Sequence, residues 1–393
     1  MEDFEYRCPT RFIFGHDAEG RCGELVRRAG ATNVLVLYGG GSCVRSGLLG
    51  RVVHALDDAG VAHVELGGVE PNPKSDFVYR ALDETRSRGV GLVLAVGGGS
   101  VIDTAKAVAA GAVYEGDFWD FYGGDIEPER ALPVGCVLTI AASGSEASPD
   151  SVITQSGTML KRETSAEVLK PVFAVLDPAL TETLPAYQTA CGIVDMYSHA
   201  LERYLSRSEA VGVTDRALEG IMLGIVDEAP RAMADPGSYD ARANLMWAAT
   251  LAHCDIVGVG RRQDWASHDI EYALSSRYGV AHGAGLAVTI PAVERFYLEH
   301  VPGAVGLLAR LARRVWGVTN ADDRAASLSG IAAQRSFFAS LGMPLTLDDI
   351  GGSAADIPEL ARETCFAGGR GGTVGGYAPL DESAVTAVFE AML

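Results

Sequence analysis

Three strand-like runs, the first and third of them apolar, each leading through a glycine-rich turn into a helix-patterned stretch, constrain this chain more than any other feature. The first, Asn33–Tyr38, ends in Gly39-Gly40-Gly41-Ser42 and precedes a helical pattern over residues 48–59. The second, residues 62–66, runs through residues 67–73 into a helix over 74–88. The third, residues 91–96, meets Gly97-Gly98-Gly99-Ser100 and a helix continuing to residue 110. Runs that are apolar at every position suit strands buried on both faces. Alternated with helices, they predict a parallel sheet with right-handed crossovers. A further strand is expected at residues 172–176, closed by Asp177-Pro178, and a short edge-type run at residues 9–14.

Past residue 183 the pattern changes, and residues 184–204, 214–233, 241–253, 263–276, 285–297 and later segments read as helices. A glycine-rich stretch from Gly368 to Gly376 reads as a loop before a last helix near residues 382–392. The expectation is therefore an α/β domain over residues 1–183 and an all-α domain over residues 184–393. With 393 residues the chain is long enough for two such cores.

A formal charge of -19 argues against nucleic acid or an anionic membrane as a partner, since both demand basic patches. No apolar run approaches the ~20 residues that span a bilayer, and the chain opens on acidic residues rather than a leader, so a cytoplasmic location is expected. The seven cysteines are scattered without a CxxC pair and read as reduced thiols.

The helical half holds the one constellation that points to a metal. Asp195 and His199 lie four apart on an expected helix, so their side chains share a face. His268 follows on another helical stretch, and His282 fourteen positions later. One carboxylate with three imidazoles suits a divalent transition metal that keeps a position open for substrate. His16, His54, His63, His253 and His300 have no partner at such a spacing and read as structural.

In the other half, backbone NH groups at the start of a helix, unshielded where the side chains are glycine, make a pyrophosphate site. Neither glycine run has the GxGxxG spacing of the usual dinucleotide fingerprint. Around Gly40, Gly41 and Ser42 no carboxylate is available to hold a ribose 2'-hydroxyl, and Arg45 follows as a counter-charge for a 2'-phosphate, so NADP(H) is expected over NAD(H).

Gly97 to Lys106, the Asp195/His199 pair, Trp265-Ala266-Ser267-His268 and Ala281-His282-Gly283 together resemble the iron-containing alcohol dehydrogenases, most of all their butanol dehydrogenase and NADP-dependent aldehyde reductase branch. That resemblance implies a Rossmann-like nucleotide-binding domain followed by a helical metal-binding domain. It makes Asp195, His199, His268 and His282 the ligands of Fe2+ or Zn2+. It implicates Gly98, Gly99, Ser100, Asp103, Asn72, Thr139, Ser143 and Lys161 in holding the nucleotide. Its further implications are small aliphatic aldehydes and alcohols as substrates, an N-terminal strand shared with a second subunit, and a homodimer.

The chain departs from the family in two places. Relatives usually carry a second histidine four residues after the third ligand, where Tyr272 stands here. A phenol titrates near ~10 and does not replace an imidazole at neutral pH. His253-Cys254-Asp255-Ile256 also replaces a more typical Leu-Asn-Gly. Both changes fall near the substrate and allow a narrower, pathway-specific aldehyde. The alternative from another class is a lyase resembling dehydroquinate synthase, whose phosphate-bearing substrate needs lysines that residues 191–282 lack.

Overall fold

The computed structural model describes every residue except 125, 159 and 368–370, so part of the expected glycine-rich loop lies outside the described residues. The chain divides into two compact units, Arg7–Thr183 on one hand and Leu184–Leu393 with Met1–Tyr6 on the other. The first six residues thus leave the α/β unit to which the sequence reading gave them. The reason is local. The Glu2 amide donates to the Gly260 carbonyl at 2.9 Å and the Tyr6 hydroxyl to the Cys254 carbonyl at 3.3 Å.

The α/β unit runs β1 (Arg11–Phe14), α1 (Cys22–Arg28), β2 (Asn33–Tyr38), α2 (Ser42–Arg45), α3 (Leu48–Asp58), β3 (Ala62–Gly67), α4 (Ser75–Arg88), β4 (Leu92–Gly97), α5 (Gly99–Ala112), β5 (Val134–Leu138), β6 (Asp150–Thr154), β7 (Lys161–Ser165) and β8 (Phe173–Leu176). Six strands form one sheet in the order β1-β8-β5-β4-β2-β3, with every adjacent pair parallel. β4 lies inside the sheet and all six of its residues are buried, as its unbroken apolar run requires. β1 pairs with β8 of its own chain, Arg11 opposite Phe173.

β6 and β7 form a separate antiparallel hairpin that no apolar run announced. Their sequences, Asp-Ser-Val-Ile-Thr and Lys-Arg-Glu-Thr-Ser, are polar because the hairpin is only partly covered.

The second unit is helical: α6 (Ala186–Tyr204), α7 (Gly212–Ala234), α8 (Tyr239–His253), α9 (Ala266–Tyr278), α10 (His282–His300), α11 (Ala304–Arg314), α12 (Asp323–Ser340), α13 (Ile357–Phe366) and α14 (Glu382–Glu390). α6 is its axis, with every residue from Thr189 to Tyr204 buried. A helix enclosed on all sides loses the stripe pattern of a surface helix, and its polar residues must find partners inside. α10 begins at His282 rather than three residues later as expected, so that histidine stands in the first turn. Among the described residues, no helix is long and apolar enough to cross a membrane.

Candidate metal centre and nucleotide loops

Three helices of the second unit carry the metal-type residues. α6 brings Asp195, His199 and Glu202 to one face, α9 brings His268 and Glu271, and α10 begins with His282. α10 is seated directly on α6, because a side chain at Gly283 would overlap the backbone of Cys191. One ligand atom each from Asp195, His268 and His282 lies within 4.8 Å of the others. His199 falls outside that radius, although its ring centre is 4.7 Å from that of His268.

Hydrogen bonds to the far ring nitrogens set how the imidazoles are presented. Nδ1 of His268 is bonded to Glu202 and Nδ1 of His282 to Glu271. Nδ1 of His199 bonds the Asp195 carbonyl at 2.8 Å. Each ring is thereby fixed with Nε2 left for a ligand, the arrangement by which metal-binding histidines are usually oriented. The Ser267 amide donates to the other oxygen of Glu202 at 2.6 Å, which pins that carboxylate in turn.

Oδ1 of Asp195 and Nε2 of His268 are buried in this cluster without any hydrogen-bond partner among the described residues. Buried polar atoms are almost always satisfied, and leaving one bare costs about 1–3 kcal/mol. A cation between them satisfies both, so the residues present fit the metal that the donor set calls for.

Burial, assisted by the neighbouring His253, His268, Arg203 and His282, holds the His199 pKa well below the ordinary range, so the ring is a neutral donor at physiological pH. Burial opposes a charge on His268 as well, but Glu202, Asp195 and Glu271 outweigh it and raise that pKa. A divalent ion supplies the charge those carboxylates await.

The sequence reading missed the residues around this cluster. Glu202 and Glu271 each follow a candidate ligand histidine by three positions, a spacing that puts them on nearly the same helical face and was legible. His253, read as structural, stacks against His199 with ring centres 4.1 Å apart. Trp265 lies 5.8 Å from His199 and 5.1 Å from His268, with the Arg203 guanidinium 4.6 Å from its ring centre. It caps α9 at φ 69°, a left-handed backbone unusual for a bulky residue. Asp255 takes a similar φ of 65° and pairs with Arg203 at 3.0 Å. Glycine adopts that conformation at least cost, so the ion pair to Arg203 helps hold Asp255 in it. Asp264 accepts from Tyr297 and from the amides of Gly376 and Tyr377, and burial with the nearby charge of Glu202 pushes its pKa up to about 8. Tyr272 stands 5.9 Å from His282, ring to ring.

In the α/β unit, the residues implicated in nucleotide binding collect at the carboxyl ends of adjacent parallel strands. Gly40, Gly41 and Ser42 follow β2, Asn72 follows β3, Gly98 to Ser100 follow β4, and Thr139 and Ser143 follow β5. This edge is where open parallel sheets take their ligands. Gly98 is the N-cap of α5, and a side chain at Gly99 would stand 2.5 Å from the Ser143 hydroxyl. The two loops therefore approach each other as closely as glycine permits. Lys161 opens β7 opposite Thr154, whose amide donates to Pro73 at 2.8 Å, so the hairpin and the Asn72 loop are joined. Arg45 is exposed, and its guanidinium lies against Gly41.

Asp103 differs from the others. Its Oδ1 accepts from Ser145 at 2.6 Å and its Oδ2 from the Val152 amide at 3.2 Å, so both oxygens serve the protein itself. One turn on, the fully buried Lys106 ammonium donates to Ser145, the Ser148 carbonyl and the Asp150 carbonyl at 2.7–2.9 Å. Asp103 and Lys106 bind the hairpin to α5 and so fix the loops that surround the glycines.

The iron-containing alcohol dehydrogenase profile matches residues 9–178, and the C-terminal profile of the Fe-containing alcohol dehydrogenase family matches residues 189–393. The chain is 39% identical to the NADPH-dependent aldehyde reductase YqhD of Escherichia coli strain K12, over 92% of this chain and 93% of that one. It is 37% identical to a probable NADH-dependent butanol dehydrogenase of Bacillus subtilis strain 168, over the whole of both chains. The crystal structure of an NADH-dependent butanol dehydrogenase A from Thermotoga maritima superposes with a TM-score of 0.95 at 37% identity, covering 100% of this chain and 99% of that one. The chain belongs to the iron-containing alcohol dehydrogenase family.

Proposed function

We propose that this protein transfers hydride between NADP(H) and small aliphatic aldehydes or alcohols, with Asp195, His199, His268 and His282 holding one Fe2+ or Zn2+. As a family member it is an oxidoreductase of the alcohol and aldehyde couple that uses a nicotinamide nucleotide. The choice of NADP(H), the ligand set, the aliphatic substrate, the cytoplasmic location and the homodimer are our reading. The observation that carries it is the pair of buried, unsatisfied atoms Asp195 Oδ1 and His268 Nε2 within one tight cluster.

A metal held by Asp195, His199, His268 and His282 would supply Lewis-acid polarisation of a carbonyl oxygen. The chain's residues prepare for that step. Glu202 and Glu271 hold the Nδ1 sides of His268 and His282, so both rings offer Nε2 inward. Glycine amides at the start of α5 receive the pyrophosphate, and Ser42 with Arg45 receives the 2'-phosphate. Trp265 and Tyr272 flank the histidines and limit what can approach them. Tyr272 offers a phenol hydroxyl in place of an imidazole beside His282.

A pathway-specific aldehyde is the second reading, favoured by Tyr272 and by the His253 to Ile256 segment, whose His253 packs on a ligand. Elemental analysis paired with NADPH and NADH oxidation on butanal, before and after chelation, tests both. About one metal per chain and chelator-sensitive turnover that prefers NADPH support the first reading. Metal without turnover of butanal supports the second, and absence of metal refutes the ligand set.

A further inference from the structure

A second group of acids stands in the α/β unit, unused by the chemistry above. One carboxylate oxygen each from Asp17, Glu19 and Asp177 lies within 4.8 Å of the others. Backbone contacts hold the group in place. The Gly15 amide donates to the Leu176 carbonyl at 3.0 Å, and the Asp17 amide to Asp177 Oδ2 at 2.9 Å. Asp17 itself is left-handed at φ 54° and starts the turn that carries Glu19 inward.

Glu19 is 1% exposed, and its Oε1 accepts from Arg51 at 2.6 Å. Its Oε2 is buried and has no hydrogen-bond partner. Arg51 thus pairs with one oxygen of Glu19, and the other buried carboxylate oxygen is left bare. Asp177 spends one lone pair of each oxygen on the amides of Asp17 and Ala179 and retains the others.

We propose that Asp17, Glu19 and Asp177 bind a hard divalent cation of the calcium class, at a site separate from the Asp195 cluster. Ca2+ takes oxygen ligands at about 2.3–2.6 Å, so oxygens around one ion lie up to roughly 5 Å apart, as these three do. Exposed Asp17 provides the way in, and buried Glu19 and Asp177 provide the fixed ligands. The nitrogen-rich Asp195 cluster favours a softer ion, so the two sites select different metals. Bound there, the ion ties the turn after β1 to the end of β8 and stabilises the sheet edge.

The test is calorimetric titration of calcium chloride into the zinc-loaded full-length protein and its Glu19→Gln and Asp17→Asn variants, with melting followed in parallel. One Ca2+ per wild-type chain, a raised melting temperature, and ~10–100-fold weaker binding in each variant are expected. The absence of saturable calcium binding to the wild type overturns the proposal. So does a variant that binds as tightly as the wild type. Asp17→Asn changes an exposed side chain, and so still decides the matter if Glu19→Gln fails to fold.

Discussion

The metal cluster and the nucleotide loops solve opposite problems. The cluster gathers charged and titratable side chains from three helices into a buried volume, where each must be paired or coordinated. The loops lack side chains at strand ends, which leaves backbone amides open for the binding proposed there. The first site is made by what is added to the backbone, the second by what is left off. Damage to the first should leave atoms unsatisfied, and damage to the second should leave a clash.

The largest effect should come from His268→Ala, which removes a proposed ligand and leaves one oxygen of Glu202 without its partner. Most of the bound metal and nearly all turnover are expected to go while nucleotide affinity holds, read by elemental analysis and by quenching of protein fluorescence on adding NADPH. Retention of full metal would break the assignment. Glu202→Gln should come next, since it keeps the volume but weakens the orientation of His268, with metal affinity falling ~10–100-fold in a chelator competition. On the other side of the comparison, Gly99→Ala sets a methyl against the Ser143 hydroxyl. KM for the nucleotide should rise about tenfold with metal content unchanged, and a variant that loses metal instead would show the two sites to be coupled.

A pH-dependent effect outside both sites concerns Glu294, buried in the helical unit beside Gln334, which donates to it at 2.6 Å. Burial raises its pKa to about 8, against the opposing hydrogen bond. Its folded form holds a proton that the unfolded chain gives up above ~4.3, so stability falls as pH rises between those values. Glu294→Gln mimics the protonated acid and removes that loss. Its advantage over the wild type should grow from pH 5 to pH 8, reaching on the order of 3 kcal/mol, and then level off. A difference that does not change with pH in thermal melts would refute the buried proton.

Different parts of the molecule were unequally legible. The sheet was readable because β2 and β4 are buried on both faces and carry unbroken apolar runs. The β6 and β7 hairpin was not, because it rests on Lys106 and Asp103 rather than on apolar burial. Asp195 and His199 announced themselves by helical spacing, and His268 and His282 by residue type. His253 did not, because the end of α8 meets α6 through a tertiary contact that no local spacing encodes. Asp103 belongs to the glycine motif by position, yet its carboxylate turns inward to Ser145 and Val152. A motif gives the location of a residue but leaves its hydrogen bonds undetermined.

Trp265, held at φ 69° between Arg203 and two of the histidines, has an optical consequence. It is one of four tryptophans in the chain, and its ring lies against two of these imidazoles. An indole excited that close to an open-shell ion loses its energy without emitting, whereas a closed-shell ion leaves it bright. Intrinsic emission therefore distinguishes an iron-filled from a zinc-filled centre in intact protein, and the metal a cell actually supplies becomes visible without opening the site.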